Sequence, residues 1–134
     1  MKEELLEAFV EASNFEVPKD QLEETIAQLT TEILHRKRYE YMAVGQIFMP
    51  EDIEQFTEEI RNLAYTQLKT QLVLEDIIEK EAFEVTVEEL EEEAQALAER
   101  QQLTLEAVKD FLGEDMVSLR KDILIRKAID FITA

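Results

Sequence analysis

The 134-residue sequence contains no cysteine, only two glycines, only two prolines and a single histidine. Without cysteine there are no disulfides, no thiol catalysis and no cysteine-ligated zinc. Scarce turn residues beside abundant Glu, Leu, Ala, Gln and Lys favour a few long helices over many short strands. No run approaches the ~20 apolar residues of a membrane span, and the N-terminus carries acids where a signal peptide is apolar. We expect an all-α cytoplasmic protein.

Basic residues are also scarce, because 14 Lys and Arg stand against 32 Asp and Glu, which gives a net charge of −18. Such a surface repels phosphate, so nucleic acid and anionic membranes are not expected as partners. The apolar fraction is 46%, enough for a core in a chain of this length. The sequence therefore predicts one folded domain spanning residues 1–134.

Groups that could carry chemistry are missing as well. Glu32 and His35 have the Glu-x-x-His spacing of di-iron bundles, but that site needs the motif twice and the sequence has one histidine. Two isolated glycines cannot build a phosphate loop, and no serine or threonine has a recognisable histidine base. The glutamate run at 88–93 lacks the spacing of a calcium loop. We expect no catalytic residue, no cofactor, no metal site and no enzyme activity.

Apolar residues recur at helical spacing in six segments. Thr86 with Glu89 has the pattern of a capping box, Thr104 is a candidate N-cap, and Gly113 is placed to end a helix. The closing segment, "DILIRKAIDFI", is apolar on more than one side, which predicts packing against several neighbours. The predicted helices cover 2–13, about 19–45, 50 to about 81, a segment from 86, 105–112 and about 115–132.

The second and third of these helices are long and are joined by a short turn near 45–50. Pro50 is suited to the first turn of a helix, and Asp52 adds favourable negative charge there. At 1.5 Å per residue, an arm of this kind is roughly 35–40 Å long. The pattern predicts a helical body with a projecting antiparallel hairpin.

The hairpin turn, "YEYMAVGQIFMP" at 39–50, gathers aromatic and methionine side chains. Exposed apolar groups of this kind mark contact sites, and methionine adapts to varied apolar shapes. Two interpretations stay open: these side chains contact a partner, or they bury one another in the turn or in a dimer interface. Just before them, the basic run 35–38 either docks an acidic partner or is a solvated face paired with nearby glutamates. The candidate binding residues are Tyr39, Tyr41, Met42, Val44, Ile47, Phe48 and Met49.

Two stretches of the sequence are nearly alike: "NFEVPKDQLEE" from Asn14 and "AFEVTVEELEE" from Ala82. In each, a helix is predicted to end, a short extended link carries Phe and Val two positions apart, and a new helix begins. The Phe and Val side chains then point to the same side of the link. We interpret each pair as the packing element of a helix–corner–helix joint, rather than as a binding site.

In order and spacing, these motifs resemble the C-terminal, substrate-cradling domain of trigger factor, a family of bacterial ribosome-associated chaperones. "KEELLEAFVEASNFEVPKDQLEE" is similar to its helix, [FV]-[DE]-[VI]-P and helix entry. The stretch "MPEDIEQFTEEIRNLAYTQLKTQLVLEDIIEKEAFEVTVEELEEEAQALA" resembles its proline-started long helix, corner and return helix. "LRKDILIRKAIDFI" is similar to its closing helix. The resemblance covers nearly the whole chain.

The resemblance implies an all-helical body with projecting arms whose inner surface holds unfolded chains through dispersed apolar side chains. Counterparts of the family's ribosome-docking domain and its FKBP-like prolyl-isomerase domain are not found in the sequence, so neither direct ribosome docking nor isomerase activity is expected. The implied function is ATP-independent binding of unfolded or nascent polypeptides, in support of protein folding and transport. The alternative is a structural interaction module that pairs with itself, as a homodimer, or with one fixed protein partner.

Overall fold

The structure, a computed structural model, describes residues 2–113 and 115–134. This part of the chain contains six α-helices and one 3₁₀ helix and has no strand, which confirms the all-α prediction. The elements are α1 (Lys2–Ala12), α2 (Lys19–Ala43), a 3₁₀ helix (Pro50–Phe56), α3 (Thr57–Lys80), α4 (Val87–Gln101), α5 (Leu105–Leu112) and α6 (Val117–Thr133).

The chain forms two compact units. Unit 1 contains the residues up to Ala12 together with Leu74–Ala134, and unit 2 contains Ser13–Val73. Helix α3 contributes its first part to unit 2 and its last residues to unit 1. The residues 39–49 singled out in the sequence all lie in unit 2.

The core of unit 1 is built around α4 and α6. Leu90, Ala94 and Ala98 recur every four residues of α4, and the two alanines are almost fully buried. Such small side chains let neighbouring helices approach closely, so the contact buries area without voids. Helix α6 contacts α1, α4 and α5, which confirms the prediction that it packs against several neighbours. The same core includes Val108 from α5 and Met116, Leu119 and Ile123 at or in α6.

The predicted helix starts of unit 1 are confirmed in detail. Thr86 Oγ1 accepts a hydrogen bond from the Glu89 N–H at 3.1 Å, and the Glu89 carboxylate accepts from the Thr86 N–H at 3.3 Å. Thr104 Oγ1 accepts from the Ala107 N–H at 3.1 Å. These bonds satisfy N–H groups that have no partner inside the helix. Gly113 follows α5 with a φ of 87°, a conformation that favours glycine.

The two Phe/Val links are half-buried, as packing elements require. Phe15 and Val17 precede α2 in unit 2, and Phe83 and Val85 precede α4 in unit 1. Phe83 meets the ring of Phe131 edge-on, with centroids 5.7 Å apart, and Val85 packs against the unit 1 core. The contacts of the second link support its interpretation as a structural joint.

Two ion pairs connect α6 to α4. Lys127 Nζ lies 2.8 Å from Glu89 Oε2 and donates a 2.7 Å hydrogen bond to the carbonyl of Glu84. Arg126 Nη1 lies 2.7 Å from Glu93 Oε1. The hydrogen bond from Lys127, helped by the Thr86 N–H, holds the pKa of Glu89 below its ordinary value of 4.5. The Arg126 hydrogen bond likewise lowers the pKa of Glu93.

These shifts predict acid sensitivity of unit 1. A carboxyl group that is more acidic when folded contributes stability above its unfolded pKa and loses it as pH falls through the folded value. We therefore expect the free energy of unfolding to decline as pH falls below about 4.5. The Glu89→Gln, Glu93→Gln double variant should show a smaller decline in urea titrations between pH 6 and 3, whereas Glu91→Gln, at an exposed neighbouring position, should follow the original chain. An equal pH dependence of the free energy of unfolding in all three proteins would contradict a role of Glu89 and Glu93 in the acid sensitivity.

The core of unit 2 lies between α2 and the first part of α3. Leu29 and Ile33 from α2 meet Ile60 and Ala64 from α3. Lys37, later in α2, lies over the ring of Phe56, just before α3, as expected for two antiparallel helices joined by a short turn. At 25 residues, α2 is roughly 37 Å long. The two long helices of the predicted hairpin are present.

The start of the third predicted helix differs from the prediction of one continuous α-helix. Residues 50–56 form a 3₁₀ helix, in which the Asp52 N–H donates to the Met49 carbonyl at 3.0 Å. Because side chains three apart in a 3₁₀ helix lie on the same side, Ile53 and Phe56 both pack on the unit 2 core. The Asp52 carboxylate accepts the Met49 N–H at 2.8 Å and fixes the entry to this segment.

Candidate functional site: the tip of the helical hairpin

Helix α2 ends in a glycine-dependent turn. The Gly45 N–H donates to the Met42 carbonyl at 3.0 Å, and the Gln46 N–H donates to the Tyr41 carbonyl at 2.8 Å. This pair of bonds is the Schellman ending of a helix, which places a residue of positive φ just beyond the last turn. Gly45 fills that position with a φ of 75°. The turn stops the helix and directs residues 46–49 towards the 3₁₀ helix.

A row of three aromatic rings, called here the aromatic row, holds this turn to the hairpin. Phe48 lies between Tyr41 and Phe56, with ring centroids 5.0 Å and 6.3 Å away respectively. Tyr41 meets Phe48 edge-on, a favourable arrangement of aromatic quadrupoles. Lys37 Nζ stands 5.1 Å from the centroid of Phe56, within cation–π range. The aromatic row connects the end of α2, the turn and the 3₁₀ helix.

Five of the seven candidate residues project outwards, and together they form the exposed tip. Ile47 exposes 80% of its surface, although a side chain of this size is usually buried. No charged residue interrupts the sequence from Tyr41 to Pro50. The result is an uncharged apolar surface within a strongly acidic chain. The exposed fractions of the others are 76% for Tyr39, 71% for Val44, 69% for Met42 and 47% for Met49.

Phe48 is the exception among the candidates, because only 4% of its surface is exposed. The prediction treated it as a contact residue, whereas the structure encloses it between Tyr41 and Phe56. Tyr41 is half-buried for the same reason. The aromatic row is therefore buried within the turn, as one of the two alternatives has it, whereas contact of the exposed tip with a partner stays a prediction.

The basic run before the tip is partly paired. Arg36 and Lys37 both lie near the Glu40 carboxylate, at 3.8 Å and 3.7 Å. These are the intrahelical pairs expected at spacings of four and three. For Arg36 and Lys37, these pairs support the interpretation of the basic run 35–38 as a solvated face paired with a nearby glutamate. His35 and Arg38 are exposed on the same helix.

Charged and apolar side chains together line a pocket further along the hairpin. A shallow pocket of about 150 Å³ lies between α2 and the start of α3. Its walls include the buried Ile33 and Ile60 and the half-exposed Leu63, with Arg36, Lys37, Phe56 and Glu59 around them. The pocket has the size of a single side chain rather than of a cofactor.

Unit 1 also has exposed apolar residues, which sequence reasoning missed. Phe111 is 88% exposed, although it lies in the predicted helix 105–112, whose apolar residues recur at helical spacing. The helical spacing could have indicated this exposure. Leu105, Val108 and Leu112 share one face of α5, whereas Phe111 lies about a quarter-turn away from that face. Leu103 and Val117 are exposed as well.

The described residues contain no cluster of three or more His, Cys, Asp or Glu side chains that could hold a metal ion. In the same ranges, 2–113 and 115–134, none of the helices combines the length and the apolar character that a membrane crossing requires.

Together, the fold and this surface define an all-helical domain with an apolar hairpin tip. The family model described as the C-terminus of bacterial trigger factor protein matches residues 1–134. The chain therefore belongs to the trigger factor family, a family of chaperones, and corresponds to its C-terminal part.

Individual relatives agree with this assignment. The trigger factors of Carboxydothermus hydrogenoformans and Caldicellulosiruptor saccharolyticus are 28% and 29% identical to the chain, over 98% of its length. The chain spans only 31% of the length of each. A solved structure of domains of trigger factor from Thermotoga maritima has a TM-score of 0.72 and 28% identity, and the match covers 98% of this chain and 78% of the other.

Proposed function

We propose that this chain is an ATP-independent binding module for unfolded or nascent polypeptides, and that the exposed tip is its main contact surface. The observation that carries the proposal is the set of five outward apolar side chains at the end of α2 and in the turn that follows it. Membership of the trigger factor family adds support. The proposed function is binding and release in the cytoplasm, and it involves no covalent step.

The physical basis is the burial of apolar surface that the folded chain leaves in water. Covering one large apolar side chain gains about 1.5–3 kcal/mol. Association and ordering of the partner cost about 4–15 kcal/mol, so the five side chains, which together gain about 7.5–15 kcal/mol, leave only a small surplus and the binding is weak. An affinity of this size allows fast release. The acidic surface elsewhere keeps a loaded complex in solution.

The buried aromatic row supports this function indirectly. With Phe48 held between two rings, the turn is fixed and its outward side chains are presented without a large ordering cost. Met42 and Met49 can adapt to clients of varied shape, since methionine is unbranched and polarizable. A rigid base with adaptable side chains suits the binding of many sequences.

The direct test is aggregation of a refolding client protein in the presence of the chain. At stoichiometric amounts, we expect the chain to suppress light scattering and then to release the client for refolding. Sedimentation equilibrium of the free chain accompanies the test. Absence of suppression, together with a tight dimer that protects Ile47 from solvent, would contradict the proposal and favour a module that pairs with itself.

A further inference from the structure

Two of the five side chains of the exposed tip are methionines. Met42 lies in the last turn of α2, Met49 directly precedes the 3₁₀ helix, and both are exposed. The third methionine of the described residues, Met116, is only 3% exposed and belongs to the unit 1 core. The tip therefore places methionine side chains in water, whereas Met116 is shielded.

The thioether sulfur of methionine is the group in this chain that peroxides oxidise most readily. Cysteine thiolates would react in its place, but the sequence contains no cysteine. Hydrogen peroxide is small and uncharged, so the net charge of −18 does not repel it. A peroxide in solution thus reaches Met42 and Met49 directly, and it reaches Met116 only when the unit 1 core opens.

We propose that Met42 and Met49 are modification sites, where a peroxide forms methionine sulfoxide and thereby weakens the binding of clients. A lone pair of the sulfur attacks one peroxide oxygen, so the O–O bond breaks and an S–O bond forms. The sulfur is oxidised by two electrons, and the second oxygen leaves as water with both hydrogens of the peroxide. This inference rests on the proposed function and adds a form of regulation to it.

A sulfoxide at these positions opposes binding because it is polar. Oxidation turns a flexible apolar side chain, which adapts to clients of varied shape, into a polar one. When a client covers it, the sulfoxide oxygen loses water and gains no equivalent hydrogen bond from an apolar surface. Because the apolar contacts of the tip leave only a small surplus of free energy, two such changes have a measurable effect on the affinity.

The turn itself stays folded after oxidation, because backbone bonds hold both residues. The Met42 carbonyl accepts the Gly45 N–H at 3.0 Å. The Met49 carbonyl accepts the Asp52 N–H at 3.0 Å, and the Met49 N–H donates to the Asp52 carboxylate at 2.8 Å. The Met49 side chain also accepts from the Asp52 N–H, and a sulfoxide oxygen can accept in place of the sulfur. Oxidation therefore changes the surface of the tip rather than its fold.

The first measurement is the rate of oxidation at each methionine. The chain is treated with hydrogen peroxide for increasing times, the peroxide is removed, and peptide mass spectrometry gives the sulfoxide fraction at each position. Met42 and Met49 should be oxidised at least about tenfold faster than Met116, which reacts only through opening of the unit 1 core.

The second measurement is the dissociation constant for a fluorescent unfolded client, determined by anisotropy before and after oxidation of the chain. We expect the constant to rise about fivefold, because two apolar contacts are weakened. Sulfoxide reductases specific for the two epimers, with a dithiol as electron donor, return the sulfoxide to methionine and should restore the initial constant.

Two variants locate the effect. Met42→Leu, Met49→Leu removes sulfur from the tip and keeps its side chains apolar, and Met116→Leu is the matched control at a buried position of unit 1. In each protein, the quantity compared is the dissociation constant after oxidation divided by the constant before it. This ratio should stay close to one in the double variant and should remain about fivefold in Met116→Leu, since exchange of Met for Leu conserves volume.

Three results would overturn the inference and leave the proposed function intact. They are an unchanged dissociation constant of the original chain with both sulfoxides formed, an equal rise in the double variant, and oxidation of Met116 as fast as that of Met42. If the untreated chain binds no unfolded client, the proposed function fails, and the regulation fails with it.

Discussion

Replacing Phe48 with alanine is expected to lower the free energy of unfolding of unit 2 by about 3–4 kcal/mol, the cost of removing a buried aromatic ring. The ring is 4% exposed and contacts Tyr41 on one side and Phe56 on the other. Its loss leaves a cavity and separates the turn from the 3₁₀ helix. Since small domains are stable by only about 5–15 kcal/mol, the effect is large.

Amide hydrogen exchange measures this effect where it occurs. The amides of Leu29 and Ile33, in the unit 2 core, should exchange about 150–900 times faster in the Phe48→Ala variant. Ile47→Ala is the matched control, because it changes the preceding residue, which is 80% exposed. Its effect on the same amides should stay within about 0.5 kcal/mol. Similar acceleration in both variants would mean that the aromatic row does not hold the turn.

The second large effect concerns client binding. The variant Met42→Gln, Val44→Thr, Ile47→Thr keeps side chains of similar shape and replaces apolar groups with polar ones at three exposed positions. We expect its dissociation constant for an unfolded client to rise at least about tenfold, since each lost contact is worth on the order of 1 kcal/mol. Its helix content and unfolding should change little, because these side chains are not part of a core.

A control with the same chemistry is available in unit 1. Leu103→Gln, Val87→Thr and Val117→Thr alter three exposed apolar residues outside the hairpin. This triple variant should change the dissociation constant less than twofold. If the two variants weaken binding equally, apolar exposure in general, rather than the exposed tip, carries the affinity.

Helix ends and caps were predictable from the sequence because their causes are local. Thr86 caps α4 through a bond to the amide three residues later, and Gly45 ends α2 because its backbone tolerates a positive φ. The two long helices followed from their apolar spacing. Such features depend on a few neighbouring residues, and so a single sequence contains them. The projection of the hairpin from a helical body stays a prediction.

Which of the tip residues are exposed and which are buried could not be predicted from the sequence, because it depends on the folded chain. Ile47 and Phe48 are adjacent and apolar, yet one is exposed and the other buried, because only the second reaches Tyr41 and Phe56. The difference between the two residues depends on how the turn folds back on the hairpin. The helical spacing of apolar residues does not contain this information. The 3₁₀ start at Pro50 likewise reflects the placement of Ile53 and Phe56 on the unit 2 core. Membership of the trigger factor family was predicted correctly from the order of weak motifs.

Photo-crosslinking from position 47 tests the central claim most directly. A photoreactive phenylalanine derivative replaces Ile47 in one protein and Glu91, an exposed residue of α4, in another. With a chemically unfolded client, position 47 should form several times more crosslinks than with the same client in its native state, and position 91 should form few with either. Equal yields for native and unfolded client, or crosslinks from position 47 only to a second copy of the chain, would contradict the account.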